Sequence, residues 1–266
     1  MFDFNTLPEK IYNRINTLEW KYDNEGMSNS TILIFDEMVL KIEKVCRSSN
    51  NERILINWLK DKLPVPNIIE AVTQNGYNFL LMSKLPGEMA CSDHNLKNIE
   101  NTIITLAKGL KMMWDVSIND CPCSSTVPEK LTQVKHDIEN NLVDMDNFDI
   151  ETFTTEGFSD VIDLYSFLDK NRPDEDLVFS HGDYYLNNVF ISGNDITGFI
   201  DMGNGGISDR WQDIALCVRT LKSRHMRFAN KGEEVYQKYK SLLFHELGIE
   251  PDEGKIRYFI LLYEFF

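Results

Sequence analysis

The apolar residues of this chain change their period once, near Pro86-Gly87, and that switch limits the folds open to it. Before it, Thr31 to Glu43 (Thr-Ile-Leu-Ile-Phe-Asp-Glu-Met-Val-Leu-Lys-Ile-Glu) reads as two short β-rich runs joined by a turn at Asp36-Glu37, a hairpin. Ile54, Leu55, Trp58 and Leu59 then fall at helical spacing over Asn51 to Lys60, and Leu63-Pro64-Val65-Pro66 stops the helix. Tyr77 to Met82 reads as a further strand. After Gly87 the period is that of a helix: Ile99, Ile103, Leu106, Leu110 and Met113 share one face of a long one. Further helices are expected around Val161-Leu164-Leu168, Trp211-Ile214-Val218, Tyr236-Tyr239-Leu243 and Ile256-Phe259-Tyr263. Short strands, Leu177 to Phe179 with Val189 to Ile191, and Gly198 to Ile200, interrupt them. The expected class is α+β and bilobal: residues 1–84 form a small antiparallel lobe with one helix, and residues 85–266 a larger, mainly helical lobe. Such a pair of lobes implies a ligand cleft between them.

Charge narrows the partners. The 266 residues carry 27 Lys plus Arg against 42 Asp plus Glu, a formal net charge of −15. A field of that sign repels nucleic-acid phosphates and anionic lipid within a Debye length of about 8 Å, so nucleic acid and membrane surfaces are excluded and cationic ligands favoured. No apolar run has signal-peptide or membrane-span length, and the five cysteines form neither a dense disulfide framework nor a paired zinc signature. A reduced, cytoplasmic setting is expected, with Cys121-Pro122-Cys123 read as a loop.

The chemistry concentrates in His181-Gly182-Asp183-Tyr184-Tyr185-Leu186-Asn187-Asn188, followed thirteen residues later by Asp201 in Ile200-Asp201-Met202-Gly203. Aspartate, four residues, asparagine, then a strand ending in aspartate is a phosphoryl-transfer arrangement. Asn188 and Asp201 supply hard oxygen ligands for magnesium, and Asp183 is free to orient and deprotonate an attacking hydroxyl. Singly, each residue reads equally well as a turn cap; together the spacings do not. A cation for the phosphates is available at Lys41 in Val39-Leu40-Lys41-Ile42. Glu52, at the start of the following helix, is the natural partner for it. Glu25-Gly26-Met27-Ser28 precedes the hairpin and offers a tight anion-binding turn.

These residues resemble the aminoglycoside 3′-phosphotransferases, over about Glu19 to Phe266. The likeness lies in Glu25-Gly26-Met27-Ser28, Lys62-Leu63-Pro64-Val65-Pro66, Leu81-Met82-Ser83, Asn119-Asp120-Cys121-Pro122, Leu177-Val178-Phe179-Ser180-His181-Gly182-Asp183, Gly198-Phe199-Ile200-Asp201 and Ala215-Leu216-Cys217-Val218-Arg219. The resemblance implies a protein-kinase-like fold and the cofactors ATP and Mg²⁺, with Asp183 as the catalytic aspartate. It also implies that Asn188 and Asp201 hold two magnesium ions and that Lys41 with Glu52 positions the α- and β-phosphates. Ser28 would cover the phosphates, and the backbone of Ser83 and Leu85 would hold the adenine edge.

The acceptor side carries the charge. Between His136 and Asp169 there is no Lys or Arg but ten acids, two-thirds of the net charge. They read either as a solvated surface or as a loop over the cleft for a polyamine, where an opposed pair 4 Å apart is worth about 4 kcal/mol at an effective dielectric of 20, before desolvation. By resemblance, Asp149, Glu151, Glu264 and the terminal carboxylate of Phe266 bind the amino sugars of an aminoglycoside. Some positions depart from the family pattern. Tyr263 stands where an acid is common, Asn204 where arginine is, Ser223 and Arg224 where acids are, and Val39 where an aromatic stacks on adenine, which leaves ATP against GTP open. The expected function is phosphorylation of an aminoglycoside 3′-hydroxyl, by a monomer or weak dimer. The rivals are a kinase of another hydroxylated amine, sugar or antibiotic, and an inactive nucleotide-binding scaffold. A protein kinase is disfavoured by Gly182 in place of arginine and by the lack of Ala-Pro-Glu after Asp201.

Overall fold

A computed structural model describes residues 6–23, 30–229 and 232–266. Strands β1 (Lys21–Tyr22), β2 (Thr31–Ile34), β3 (Met38–Lys44), β4 (Ile68–Gln74) and β5 (Tyr77–Ser83) form an antiparallel sheet in the order β1-β2-β3-β5-β4. The β2–β3 hairpin is the expected one, in register from Thr31 opposite Ile42 to Ile34 opposite Val39. Alternation decides what each face meets. Leu40 and Ile42 pack with Leu33, Phe79 and Leu81 against Leu7, Ile11 and Ile15, the latter two on helix α1 (Glu9–Ile15). Lys41 therefore leaves by the opposite face, toward α2 (Arg47–Leu59). Leu7, Ile11 and Ile15 recur every four residues, the apolar stripe by which α1 is buried.

Two local corrections follow from caps and turns. Helix α2 begins at Arg47, not near Asn51, because Cys46 and Ser49 cap it reciprocally: Ser49 N–H donates to Cys46 Sγ at 3.4 Å and Cys46 N–H to Ser49 Oγ at 3.0 Å. Glu52 thus lies in the second turn, on the buried face with Leu55, Ile56 and Leu59, rather than at the helix start. Strand β4, unseen in the sequence, joins β5 through Asn75 (φ 52°) and Gly76 (φ 78°), the Asn-Gly pair that two-residue hairpin turns favour.

Beyond the sheet come β6 (Glu88–Met89), α3 (Asp93–Lys97), the long α4 (Ile99–Trp114), α5 (Val127–Glu139), α6 (Ile150–Thr154) and α7 (Val161–Lys170). They are followed by β7 (Leu177–Ser180), β8 (Val189–Ser192), β9 (Asp195–Phe199), β10 (Gly206–Asp209), α8 (Arg210–Ala229), α9 (Glu233–Leu247) and α10 (Glu253–Tyr263). The α+β class and all five periodic helices stand as expected. The strand pairing does not: β7 pairs with β10, and β8 lies between β6 and β9. Strand β10 has a single large apolar residue, Ile207, so no period announces it. One apolar core, including Leu106, Leu110, Phe179, Leu186, Phe199, Ile214 and Phe259, joins these helices and short strands. It holds the β7–β8 and β9–β10 loops, which carry Asp183, Asn188 and Asp201, on a rigid base.

Candidate active site

Lys41 and Asp201 meet although 160 positions separate them. The Lys41 ammonium forms ion pairs with Glu52 (2.9 Å), Glu43 (3.1 Å) and Asp201. Burial alone would lower the lysine pKa, but the three carboxylates outweigh it and hold it well above its ordinary value. Burial pushes Glu52 up to about 7 against the pull of Lys41. One cation facing three carboxylates leaves the cleft rich in negative charge, a setting that asks for a further cation.

Asp201 follows β9 by two residues and sits at φ 58°, ψ 48°, a left-handed backbone that Asp tolerates better than most side chains. Ile200 N–H donates to the Asn188 carbonyl at 3.1 Å, which places Asn188 and Asp201 on neighbouring segments. Asn188 is buried, and its Nδ2 donates to both the carbonyl (2.9 Å) and Oδ2 (2.8 Å) of Asp183. Its oxygen therefore points away from Asp183; it accepts one bond, from Asn187 Nδ2 at 3.2 Å, which leaves a lone pair to serve a hard cation.

The loop holding Asp183 depends on a residue the sequence reading passed over. Asp213, fully buried on α8, accepts His181 N–H at 2.7 Å and Gly182 N–H at 3.0 Å, and burial pushes its pKa up to about 6. Only its place in an apolar helical run, Trp211-Gln212-Asp213-Ile214-Ala215, could have betrayed it. Gly182, at φ 80°, lies so close to the next loop that a Cβ would stand 2.0 Å from the Asn204 carbonyl oxygen, so neither space nor backbone admits a side chain.

Tyr263 was noted only for its departure from the family pattern, yet its hydroxyl donates to Asp183 Oδ1. Both carboxylate oxygens of Asp183 are thus hydrogen-bonded. Burial raises the Asp183 pKa, and the Tyr263 and Asn188 bonds oppose that rise. Tyr263→Phe removes a donor that favours the ionised form, so the Asp183 pKa should climb further. The acid limb of the kcat–pH profile is expected to move up by about 0.5–1 pH unit, the equivalent of one net hydrogen bond. An unmoved acid limb would show that the tyrosine hydroxyl does not bear on that charge.

A cavity of about 410 Å³ contains Lys41, Glu52, Ser83, Leu85 and Asp201, with Ile32, Val39, Met82, Phe190 and Ile200 as apolar walls. Four of the five expected nucleotide residues are thereby brought together with the expected metal ligand Asp201; the fifth, Ser28, lies outside the described residues. Ser83 N–H is already bonded to the Asn67 carbonyl at 2.9 Å, so Ser83 can offer the cleft its carbonyl but not its N–H.

The acceptor residues divide. Asp149, Glu151 and Glu264 line a second cavity, of about 640 Å³, with Arg219, Lys222 and Tyr236, whereas Phe266 lines a third, of about 270 Å³, with Asn204. Glu264 is 3% exposed, accepts the Thr152 hydroxyl at 2.6 Å and lies 3.6 Å from Arg219, so it is a buried anchor and not a helix end in solvent. Many of the ten acids do structural work: Asp144, Asp149 and Asp160 cap the starts of helical turns, and Glu156 and Asp169 pair with Arg257 and Arg172. The side chains of Ser223 and Arg224 lie outside those described. Cys121 Sγ donates to the Cys123 carbonyl at 3.2 Å, and burial raises both thiols, consistent with a structural loop.

Residues 19–248 match the family model described as the phosphotransferase enzyme family. The chain belongs to that family. The aminoglycoside 3′-phosphotransferase of Enterococcus faecalis is 37% identical over 216 residues, 81% of this chain and 78% of the relative. The Staphylococcus aureus enzyme of the same name is 34% identical over 253 residues, 92% of each chain. Among solved structures, an aminoglycoside-3′-phosphotransferase of type VIII shares the fold at a TM-score of 0.79 and 24% identity, covering 97% of both chains. An aminoglycoside phosphotransferase of Streptomyces rimosus, solved with ADP and streptomycin, does so at 0.75 and 18% identity, over 100% of this chain and 99% of that one. The two-lobed, kinase-like architecture expected for this phosphotransferase is the one observed. Among the described residues no helix is long and apolar enough to cross a membrane.

Proposed function

We propose that this phosphotransferase moves the γ-phosphoryl group of ATP to the 3′-hydroxyl of an aminoglycoside, and so confers resistance to it. The observation that carries the reading is the convergence of Lys41 and Asp201, drawn from both halves of the chain, in one cavity, with Asn188, hydrogen-bonded to Asp183, on the segment beside Asp201. Lys41, held by Glu52, meets the α- and β-phosphates. Ser28 covers them. The Ser83 carbonyl and the Leu85 N–H match the donor and acceptor on the adenine edge, with Val39 on the cavity wall leaving GTP as a second nucleotide to test.

Asn188 and Asp201 would hold Mg²⁺, whose contribution when bound is to neutralise the phosphate oxygens. The donor set fits: one amide oxygen turned away from Asp183 and one carboxylate, in a cleft with surplus negative charge. Asp183 accepts the proton of the acceptor hydroxyl and aims its oxygen in line with the transferring group. Its raised pKa makes it a better proton acceptor than a free aspartate. We assign the nucleotide to residues 1–84 and the catalytic and acceptor groups to residues 85–266, with Asp149, Glu151 and Glu264 in the second cavity and the Phe266 carboxylate at the third as the acids offered to the amino groups. A cytoplasmic monomer or weak dimer agrees with an ATP-consuming enzyme whose five cysteines are all free.

The test is coupled ADP release over a panel of aminoglycosides, with NMR of the product to locate the phosphate. Kanamycin should be turned over, and tobramycin, which lacks the 3′-hydroxyl, should not. Equal turnover of both would remove the regiochemistry. A second reading, another hydroxylated amine or sugar as acceptor, draws support from Arg219 and Lys222 in the second cavity and from Tyr263 against Asp183. Failure of every aminoglycoside would favour it.

A further inference from the structure

Lys41 meets more acid than a buried lysine needs. One carboxylate is enough to compensate an ammonium in an apolar strand, and Glu52 supplies it from the buried face of α2, at 2.9 Å and with its side chain 4% exposed. The hydrogen bonds of the ammonium go to Glu52 and Asp201, whereas Glu43 meets it as an ion pair at 3.1 Å. Burial raises the Glu52 pKa, and the charges of Asp201 and Glu43 add to that rise against the pull of Lys41, so the three acids crowd one another.

The period of β3 places Glu43. Residues two apart on a strand share a face, so Glu43 leaves on the side of Val39 and Lys41, opposite to Leu40 and Ile42. The β2–β3 register, with Thr31 opposite Ile42, brings Ser30 alongside it. The Ser30 hydroxyl donates at 2.8 Å to Glu43 Oε1, the same oxygen that meets Lys41. The Glu43 side chain is 23% exposed, so water and Ser30 can stabilise its carboxylate once Lys41 leaves it. Glu52 is buried and has no such substitute. Of these two acids, Glu43 is therefore the one that Lys41 can release.

We propose that Glu43 is a built-in competitor for the nucleotide: its carboxylate occupies on Lys41 the place that a phosphate oxygen takes, so the Lys41–Glu43 pair opens when nucleotide binds and its strength sets the ATP affinity. This rests on the reading of Lys41 as the cation that meets the phosphates. Glu43 acts through Lys41 and is a positioning residue. Two anions on one ammonium repel each other, so Glu43 lowers the affinity both as a pair to be opened and as a like charge beside the phosphate.

The test is calorimetric titration of the full chain and of Glu43→Gln with a non-hydrolysable ATP analogue and Mg²⁺, beside adenosine, which has no phosphate. Glutamine keeps the shape and an acceptor for the Ser30 hydroxyl and removes the charge. The expected result is analogue binding about threefold or more tighter in Glu43→Gln, with adenosine affinity the same in both proteins. In turnover the gain should appear in KM for ATP and not in kcat, as for a contact felt equally in the ground and transition states. Unchanged or weaker analogue binding overturns the proposal, and so does an equal gain for adenosine, which would place the effect on the cleft as a whole. Lys41→Met separates this from the reading beneath it. Unchanged analogue affinity in that variant removes Lys41 from the phosphates, whereas a loss there without the gain in Glu43→Gln overturns the competitor alone.

Discussion

Asp183→Ala is expected to lower kcat by about 10²–10⁴-fold, the range for loss of a positioned general base, while leaving the affinity for Mg²⁺ and ATP nearly intact. The separation of the two effects follows from the geometry. Asp183 faces Tyr263 and Asn188, and the nucleotide groups Lys41, Glu52 and Asp201 are paired among themselves without it. Rates of acceptor-dependent ADP release, set beside nucleotide binding measured without acceptor, check both halves. Near-normal turnover in the variant would remove Asp183 from the reaction.

Lys41→Met should damage both stability and activity. The lysine side chain is 9% exposed and that of Glu52 4%, so the substitution strands a buried carboxylate beside Asp201 and Glu43. Breaking a buried pair on one side costs about 3–5 kcal/mol, which for a chain of this size lowers the melting temperature by about 6–10 °C. Loss of the cation on the phosphates should reduce kcat/KM for ATP by about 10²–10³-fold. Adding Glu52→Gln separates the two contributions. The double variant should regain part of the melting temperature, because the stranded charge is gone, but none of the activity. A double variant no more stable than Lys41→Met would refute the buried-charge explanation.

Both predictions rest on residues legible in the sequence. The spacing from Asp183 to Asn188 to Asp201 is short-range, and a constellation spread over nineteen positions survives any packing that keeps its two loops adjacent. Lys41 was legible because a lone charge in an apolar strand must find a partner, and the alternation of β3 sends it to the face opposite Leu40 and Ile42. Glu52 was identified correctly as that partner with the wrong local reason. A cysteine-serine cap, outside the usual cap vocabulary, starts α2 early and moves Glu52 from the first turn to the buried second one.

Elsewhere geometry, not spacing, sets the outcome. The run of acids from Asp137 to Asp169 reads either as a solvated surface or as a loop over the cleft; Asp144, Asp149 and Asp160 spend their carboxylates on helix starts, and Asp149 and Glu151 also line the second cavity. Tyr263 read as a lost acid, whereas its hydroxyl keeps a polar contact with the Asp183 carboxylate from the end of α10. Asp213 carried only its place in an apolar run as a signal, since a buried charge on a helix looks in sequence like any polar residue between apolar ones.

The sequence by itself determined the two-lobed class, the periodic helices, the phosphotransferase chemistry and the spacing of the residues proposed to carry it, because hydrophobic period and motif spacing are properties of short stretches of chain. Only the tertiary structure decided that β7 pairs with β10 and that Lys41 reaches Asp201 across 160 positions. It alone closed Tyr263 onto Asp183, buried Glu264 against Thr152, and separated Phe266 from the other acceptor residues. Those are contacts between distant segments, chosen by what the whole core can bury and by which polar groups it leaves to satisfy.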